Sequence, residues 1–275
     1  MAHNPTTDVN IGQLRAREMA LAEATSRPEP EDWRRLGPAS WRRLCVAVIL
    51  VAIILAAVLI ATALFPQIDV RLARAFYGGA EKGFALRSQS ALILLRELGY
   101  YLPIVVLVLT GLVFLLGKRK PRAGAILSGR RFAFLALSFA LGPGLMVNGV
   151  LKEASHRPRP AQLVEFGGMS PFRAWYRLDG ACEHNCSFAS GEVAGATWLF
   201  APASLLPPPW RALAIGLSSG VTVAVAALRM AFGGHFISDA AAAVLVTLTS
   251  IFAVGWVVLR RDGPRTSFDA SRPRS

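Results

Sequence analysis

The sequence CVAVILVAIILAAVLIATALF occupies residues 45–65 and contains no charged side chain. A helix that crosses a hydrocarbon core of about 30 Å needs roughly 20 consecutive, mostly apolar residues. This stretch is therefore a predicted transmembrane helix. The polar residues that precede it lack the charged start and short apolar core of a cleaved secretory signal, so we expect the helix to be retained in the membrane.

Further apolar stretches follow along the chain, and 53% of its residues are hydrophobic. Such a composition is too apolar for a typical soluble protein. We predict an all-α, polytopic membrane protein in which six transmembrane helices form a bundle over residues 41–260. Residues 1–40 and 261–275 are rich in Pro, Arg, Ser and acidic residues, a composition typical of disordered tails. The five later spans are predicted at about residues 98–117, 132–151, 191–206, 212–228 and 237–259.

The distribution of basic residues determines the expected orientation. The chain has a net charge of +13, but its Lys and Arg residues lie beside apolar runs and do not cover one amphipathic face, which argues against nucleic-acid binding. Nineteen of the thirty lie in the two tails and in the loops around 118–131 and Arg211. Because cytoplasmic flanks carry such an excess, we expect a bacterial inner-membrane protein with both termini in the cytoplasm. The segments 66–96 and 156–189 and the region around His235 would then face the periplasm.

Three cysteines are too few for a disulfide framework. Cys45 begins the first apolar run, and we expect it to be a small buried side chain. Cys182 and Cys186 lie close together in a polar stretch, on either side of His184, where a local disulfide or a metal pair is conceivable. Two cysteines and one histidine so crowded lack the usual spacing of zinc ligands, so we favour the disulfide.

Three polar clusters, at residues 152–160, 187–192 and 229–239, fall at one predicted membrane face. A single cationic side chain at this depth can simply extend towards the headgroups. Three clusters that converge near one histidine favour a functional site instead. His235 and Asp239 are four residues apart on one helix face, so the carboxylate can hold one ring nitrogen and leave the other free. The alternative is a structural pair in which the aspartate caps the helix.

The other residues of these clusters suit an anion. Ser190 and Gly191 lie where the fourth span begins, so backbone N–H groups and a hydroxyl can contact an oxyanion there. An ordinary serine N-cap is the alternative. Lys152 closes the third span, and Arg159 lies between two prolines that fix the local backbone. Its planar guanidinium, like that of Arg229, matches the geometry of phosphate.

The order and spacing of these residues form a recognisable pattern. In chain order, the pattern is Lys152, six residues, Arg159-Pro160, then Ser190-Gly191, then Arg229, five residues, His235, three residues and Asp239. This pattern resembles the three-part signature of the type 2 phosphatidic-acid phosphatase superfamily, and the six-span layout resembles its membrane branch. The resemblance covers roughly residues 45–260 and implies a helical bundle in which the three motifs meet around phosphate.

The resemblance implies a role for each residue of the pattern. His235 would attack phosphorus and form a phosphohistidine, and Asp239 would orient its ring. The phosphoryl oxygens would be held by Lys152, Arg159, Arg229 and the Ser190-Gly191 turn. Cationic side chains can position and neutralise a transferring phosphoryl group without a metal, so we expect no metal and no cofactor.

The second motif departs from the family pattern. The family has Pro-Ser-Gly-His, whereas this chain has Ala-Ser-Gly-Glu at residues 189–192. The leaving-group acid of the family is thus replaced by a carboxyl group. We hypothesise that Glu192 protonates the departing oxygen and then activates water, which predicts an acid-shifted pH optimum. His156 and His184, which lie in the same polar region, are alternative acids. A milder change is Leu228, where the family often has Ser.

The leading hypothesis is a lipid phosphatase that hydrolyses a phosphate monoester or pyrophosphate on a lipid headgroup and is surrounded by membrane lipids. The resemblance implies lipid A, undecaprenyl pyrophosphate, phosphatidate or phosphatidylglycerol phosphate as the substrate. The Ser-Gly-Glu variant with a nearby cysteine pair is more similar to lipid-A-type phosphatases. A lipid-to-lipid phosphotransferase and a non-catalytic lipid-binding relative are the alternatives. The family also includes soluble vanadium haloperoxidases, but six apolar spans argue against that activity.

Overall fold

The structure is a computed structural model. It describes residues 38–119, 127–207 and 209–259, and of residues 38–45 and 118–119 it describes the backbone only. The predictions for the two tails and for the Cys45 side chain lie outside the described residues. The chain from Cys45 onward forms one compact unit, and all contacts described below lie within it.

The described chain is helical, and within it there is no β-strand, only an isolated bridge between Leu163 and Ser170. The all-α prediction is confirmed for these residues. The α-helices are α1 (Pro38–Leu64), α2 (Gln67–Arg74), α3 (Ser90–Arg119), α4 (Gly129–Phe139), α5 (Lys152–Ala154), α6 (Gly191–Trp198), α7 (Phe200–Ser204), α8 (Trp210–Ala231) and α9 (Ile237–Leu259). A π-helical segment, Ala140–Leu151, joins α4 to α5, and 3₁₀ turns occupy Ala85–Ser88, Pro160–Gln162 and Val164–Phe166.

Five helical stretches of the described chain are long and apolar enough to cross a membrane. They are Val46–Leu64, Ser90–Gly117, Gly129–Ala154, Trp210–Ala231 and Ile237–Leu259. Large apolar side chains cover their outer surfaces; Ile54, for example, is 61% exposed. Exposed apolar surface of this extent is typical of contact with lipid.

The stretch predicted as the fourth span differs from the other five. It is divided into α6 and α7, which are separated at Leu199. At 1.5 Å per residue, these roughly 14 residues cover about 21 Å, less than the hydrocarbon core of about 30 Å. Other helices surround the pair, so that Ala194, Ala196 and Ala201 are fully buried. The count of six spans, and the orientation that depends on it, therefore remain predictions.

Helix α6 lies inside the bundle and packs against α3, α8, α9 and the π-helical segment. Its C-terminal residue Trp198 is fully buried, and the indole N–H donates to Ser138 Oγ on α4 at 3.0 Å. This bond satisfies a donor that would otherwise be buried without a partner. The contact fixes α6 along the bundle, and with it the position of the Ser-Gly-Glu motif at its N-terminal end.

Candidate active site

One cavity of about 400 Å³ lies where the three polar clusters meet. Its lining residues are Arg96, Tyr100, Asn148, Lys152, Arg159, Asn185, Gly191, Glu192, Arg229 and His235. Of the predicted catalytic and phosphate-binding residues, Ser190 and Asp239 do not line the cavity. Both are fully buried beside residues that do. The three predicted clusters are therefore brought together in one place.

His235 is 2% exposed, and its ring is held through Nδ1. This nitrogen lies 2.7 Å from the carbonyl oxygen of Ser187. Because a carbonyl oxygen only accepts, Nδ1 carries the proton and Nε2 keeps a free lone pair. Asp239 Oδ2 is 3.5 Å from Nδ1, so the carboxylate acts as a nearby charge while the Ser187 carbonyl orients the ring.

Burial lowers the pKa of His235 to about 4, although the carboxylate of Asp239 opposes this shift. Two neighbouring guanidinium groups, those of Arg229 and Arg159, lower the pKa further. The imidazole is therefore neutral at neutral pH. This is the protonation state in which Nε2 can act as a nucleophile.

Asp239 is buried among hydrogen-bond donors at the start of α9. Oδ2 accepts from Ser187 Oγ at 2.5 Å and from the backbone N–H of Phe236 at 2.8 Å, and Oδ1 accepts from Arg157 Nη1. The aspartate therefore caps its own helix and also lies next to the His235 ring. The geometry shows the helix cap weighed from the sequence, whereas orientation of the His235 ring by Asp239 stays a prediction, because the Ser187 carbonyl makes the shorter contact with Nδ1.

Arg229 lies in the last turn of α8 and reaches the cavity because two glycines follow it closely. A Cβ at Gly234 would lie 2.6 Å from Arg229 Nη2, and one at Gly233 would lie 2.6 Å from the Phe84 ring. Gly233 also has φ +65°, a conformation that favours glycine. Arg229 Nε lies 3.4 Å from Glu192 Oε1 and forms no hydrogen bond within the described chain. A buried N–H without a partner is available to a ligand.

Arg159 is held by the loop between Cys182 and Cys186, which are joined in a disulfide. Its Nη2 and Nε donate to the carbonyl oxygen of Asn185 at 2.8 and 3.3 Å. Burial lowers the pKa of Arg159 from its ordinary value, and the carboxylate of Glu192 opposes this. Lys152, the first residue of α5, supplies a further cation to the cavity wall.

Ser190 and Gly191 form the N-terminal end of α6. Ser190 Oγ accepts from the backbone N–H of Val193 at 3.5 Å, so the serine is an N-cap. A Cβ at Gly191 would lie 2.4 Å from Asn148 Oδ1, which explains the glycine. The positive end of the helix and its free N–H groups therefore adjoin the cavity, an arrangement that favours an anion.

Comparison with known proteins assigns the chain to a family. Residues 132–262 match the family model of the PAP2 superfamily. A lipid A 4'-phosphatase from Rhizobium leguminosarum is 35% identical over 189 residues, which are 64% of this chain and 80% of that protein. Another, from Francisella tularensis subsp. novicida, is 30% identical over 196 residues, 71% of this chain and 86% of that protein. The chain belongs to the PAP2 superfamily.

This membership and these relatives identify a membrane lipid phosphatase. No solved structure is significantly similar to the chain. Within the described part of this PAP2 protein, no three His, Cys, Asp or Glu side chains form a group that could hold a metal ion.

Glu192, the residue that departs from the family motif, faces the cavity and contacts Arg96. Arg96 Nη2 donates to Oε1 at 2.6 Å and Nε donates to Oε2 at 3.0 Å. This bidentate geometry is typical of an ionised carboxylate. The two alternative acids do not line the cavity: His184 is exposed, and His156 Nδ1 lies 2.9 Å from the Cys182 carbonyl oxygen.

Several residues of this site were not predicted from the sequence. The side chains that line or support the cavity but were not predicted are Arg96, Tyr100, Asn148, Asn185, Asp69, Arg157, Ser187 and Ser238. Arg96 could have been predicted from the sequence, because a charged residue inside an apolar helix costs free energy and is usually functional. Arg157 lies two residues before Arg159 but received no role of its own.

Proposed function

We propose that the protein removes a phosphate monoester from a lipid A-type headgroup through a phosphohistidine at His235. The observation that carries this proposal is the composition of the cavity. A buried imidazole with a free Nε2 shares it with four cationic side chains, Arg96, Lys152, Arg159 and Arg229. Phosphoryl transfer needs chiefly in-line positioning and neutralisation of charge on the equatorial oxygens, and these groups can supply both.

In the first half-reaction, the Nε2 lone pair of His235 forms a bond to phosphorus. The bond from phosphorus to the lipid oxygen breaks, and that oxygen leaves with the electron pair and takes up a proton from Glu192, or from water if Glu192 is ionised. Nδ1 keeps its proton and its hydrogen bond to the Ser187 carbonyl oxygen. Asp239, 3.5 Å from Nδ1, stabilises the positive charge that develops on the ring.

In the second half-reaction, a water oxygen attacks phosphorus, the N–P bond breaks, and His235 returns to its neutral form as phosphate leaves. A base must take up the proton of this water. Glu192 suits that step as it stands, because it is paired as a carboxylate with Arg96. To protonate the departing lipid oxygen first, Glu192 would have to carry a proton and give up one of its two hydrogen bonds from Arg96.

The choice of lipid A among phosphorylated lipids rests on the relatives. The chain covers 80% and 86% of two proteins named lipid A 4'-phosphatase, so the similarity extends over most of their length. We extend to this chain the substrate class that their names give. A phosphate monoester carries close to two negative charges at neutral pH, which suits several cations in one cavity.

In this proposal the cavity faces the periplasm of a bacterial inner membrane. The Cys182–Cys186 disulfide lies beside the cavity, and disulfides persist in the periplasm but are rare in the cytoplasm. Arg130 and Arg131 lie at the opposite end of the Gly129–Ala154 stretch, where the positive-inside rule favours the cytoplasm.

The test is phosphate release by the purified protein in detergent, with chelator present and four substrates compared. The substrates are lipid A, undecaprenyl pyrophosphate, phosphatidate and phosphatidylglycerol phosphate. We expect lipid A to be the best substrate and His235→Ala to lose activity by about 1,000-fold or more, as expected for a lost nucleophile. His184→Ala, an exposed histidine outside the cavity, is the matched control and should retain activity.

Hydrolysis of lipid A by His235→Ala at the wild-type rate would overturn the mechanism. Release from another lipid but not from lipid A would overturn the substrate assignment. Transfer that requires an acceptor lipid would replace hydrolysis with phosphotransfer.

A further inference from the structure

Helix α2, which follows the first membrane span, contains a buried carboxylate close to the active site. On one face of this helix, Asp69, Val70 and Ala73 are buried. The opposite face exposes Leu72 and basic side chains. Asp69 is 1% exposed, and burial raises its pKa although the charge of Arg157 opposes this. A charge in such a place is costly and needs specific partners.

Those partners belong to the N-terminal turn of α9. Asp69 Oδ1 accepts from the backbone N–H of Ser238 at 3.2 Å, and Oδ2 accepts from Ser238 Oγ at 2.7 Å. The carboxylate therefore satisfies one of the unpaired N–H groups with which every helix begins. Ser238 lies directly before Asp239 in the chain and three residues after His235.

Arg157 connects the same carboxylate to Asp239. Its Nη2 donates to Asp69 Oδ2 at 2.8 Å, and its Nη1 donates to Asp239 Oδ1 and to Ser238 Oγ. The guanidinium is fully buried and lies 4.1 Å from the centre of the Phe236 ring. One cation is thus shared by two buried carboxylates that are 170 positions apart in the sequence.

Neither Arg157 nor Asp69 lines the cavity, so neither can contact a bound phosphate there. Their hydrogen bonds converge on Ser238 and Asp239, within one helical turn of His235. An ion network that only stabilised the fold could lie anywhere in the protein. This one fixes the turn that holds the proposed nucleophile and its charge partner.

We propose that Asp69 and Arg157 are positioning residues of the phosphatase, which hold Asp239 and the His235 ring in the orientation required for attack. The inference rests on the proposed function, because it takes His235 as the nucleophile. The two residues act through hydrogen bonds on the first turn of α9. Helix α2 therefore supports the active site in addition to connecting two membrane spans.

The experiment compares Asp69→Asn with Asp179→Asn in the purified full-length protein. Asp179 is an exposed aspartate paired with the exposed Arg177, so its variant removes the same charge away from the site. We expect Asp69→Asn to lower kcat by about 10- to 100-fold, the usual effect of removing a supporting hydrogen bond behind a reactive group. KM and the inhibition constant of inorganic phosphate should change less than about twofold, because the cations of the cavity keep their places.

Asp179→Asn should match the wild type in kcat, in KM and in the inhibition constant of inorganic phosphate. A kcat of Asp69→Asn equal to that of Asp179→Asn would overturn the inference. Loss of phosphate inhibition in parallel with kcat would also overturn it, because that result indicates general damage to the site.

If Asp69→Asn does not fold, Ser238→Ala tests the positioning role instead. This variant removes the hydroxyl that is hydrogen-bonded to both Asp69 and Arg157, and it changes no charge. The same pattern of lower kcat with unchanged phosphate inhibition is expected, and an unchanged kcat would overturn the inference. A wild-type protein that hydrolyses no lipid phosphate would refute the proposed function itself. An active wild type with unaffected variants would refute only the positioning role.

Discussion

Arg96 compensates for the carboxylate that replaces the histidine of the second family motif. A glutamate at this point adds negative charge beside the proposed phosphate site and would repel a phosphate dianion. Both oxygens of Glu192 accept hydrogen bonds from Arg96, which cancels the added charge. The cavity therefore keeps the excess of positive charge supplied by Lys152, Arg159 and Arg229.

This compensation predicts that mutations of the pair are coupled. Arg96→Gln leaves the charge of Glu192 unbalanced, so we expect KM to rise about tenfold, equivalent to about 1.4 kcal/mol. The double variant Arg96→Gln/Glu192→Gln should reverse most of this rise in KM. Steady-state phosphate release by the two single variants and the double variant gives the coupling energy, which should exceed about 1 kcal/mol. Effects on KM that simply add would contradict the compensation.

The acidic side of the pH–rate profile should reflect His235. Burial lowers its pKa to about 4, and attack requires an unprotonated Nε2, so protonation of the ring removes activity only as the pH approaches 4. Because kcat/KM reports the free enzyme, this quantity should not fall as the pH is lowered from 7 to about 5, after correction for ionisation of the substrate. A histidine with the ordinary pKa of about 6.5 would lose more than tenfold over this range. A loss of that size would contradict the buried, neutral imidazole.

The alkaline side of the same profile tests the hypothesis for Glu192. If this residue protonates the departing oxygen, activity falls as the carboxyl group ionises, and the pH optimum lies on the acid side. Glu192→Gln should then remove the alkaline decline and lower kcat. The same assay over the same pH range measures both changes. A pH–rate profile unchanged by the substitution would rule out proton transfer by Glu192.

At the scale of elements, the loop of residues 182–186 depends on its disulfide to support Arg159. The carbonyl oxygen of Asn185 accepts from this guanidinium at 2.8 Å, and Asn185 has φ +52°, which is uncommon for residues other than glycine. The Cys182–Cys186 bond closes the loop around this residue. Opening the bond allows the loop to relax and removes a fixed partner of a cavity cation.

Reduction of the disulfide should therefore weaken substrate binding more than it slows chemistry. We expect the Cys182→Ser/Cys186→Ser variant to raise KM about three- to tenfold, an effect of roughly 1 kcal/mol, which is the usual net contribution of one hydrogen bond. Mass spectrometry with and without reductant verifies the bond in the wild type. Reductant should change the wild-type KM in the same way and leave the variant unaffected. An equal KM in all samples would contradict support of Arg159 by the loop.

Apolar runs in the sequence predicted most of the helices. The runs at 45–65, 98–117 and 237–259 coincide with long helices because lipid-facing surface must be apolar along its whole length. The run at 191–206 has a similar composition but lies among other helices, and hydropathy does not distinguish a helix covered by protein from one covered by lipid. Its division into two short helices was therefore not predicted.

Within the site, motif spacing predicted the residues that share a turn or a loop. Arg229, His235 and Asp239 lie within eleven positions, so local geometry brings them together. Arg96 contacts Glu192 across 96 positions, and Asp69 contacts Ser238 across 169. Such contacts depend on how the helices pack, and no local pattern in one sequence records them.

At the scale of the whole molecule, the cavity lies at one end of the bundle. Lys152 and Arg229 lie near the ends of the Gly129–Ala154 and Trp210–Ala231 stretches, and His235 precedes the last stretch. The polar ends of these three stretches thus meet at a single face of the bundle. A lipid whose headgroup lies at that face can bring its phosphate to the cavity while its chains stay in the bilayer.

The orientation of that face and the number of crossings can be tested together. With six crossings both termini lie on one side, whereas with five they lie on opposite sides and α6 and α7 form a pair buried in the bundle. We expect reporter fusions at both termini to be cytoplasmic, because both tails are basic. In spheroplasts, Asp179→Cys should react with a membrane-impermeant maleimide and Arg130→Cys should react only after lysis. The reverse labelling would place the cavity in the cytoplasm, where the Cys182–Cys186 disulfide would be reduced. A cytoplasmic N-terminus with a periplasmic C-terminus would instead contradict the count of six, because it requires an odd number of crossings.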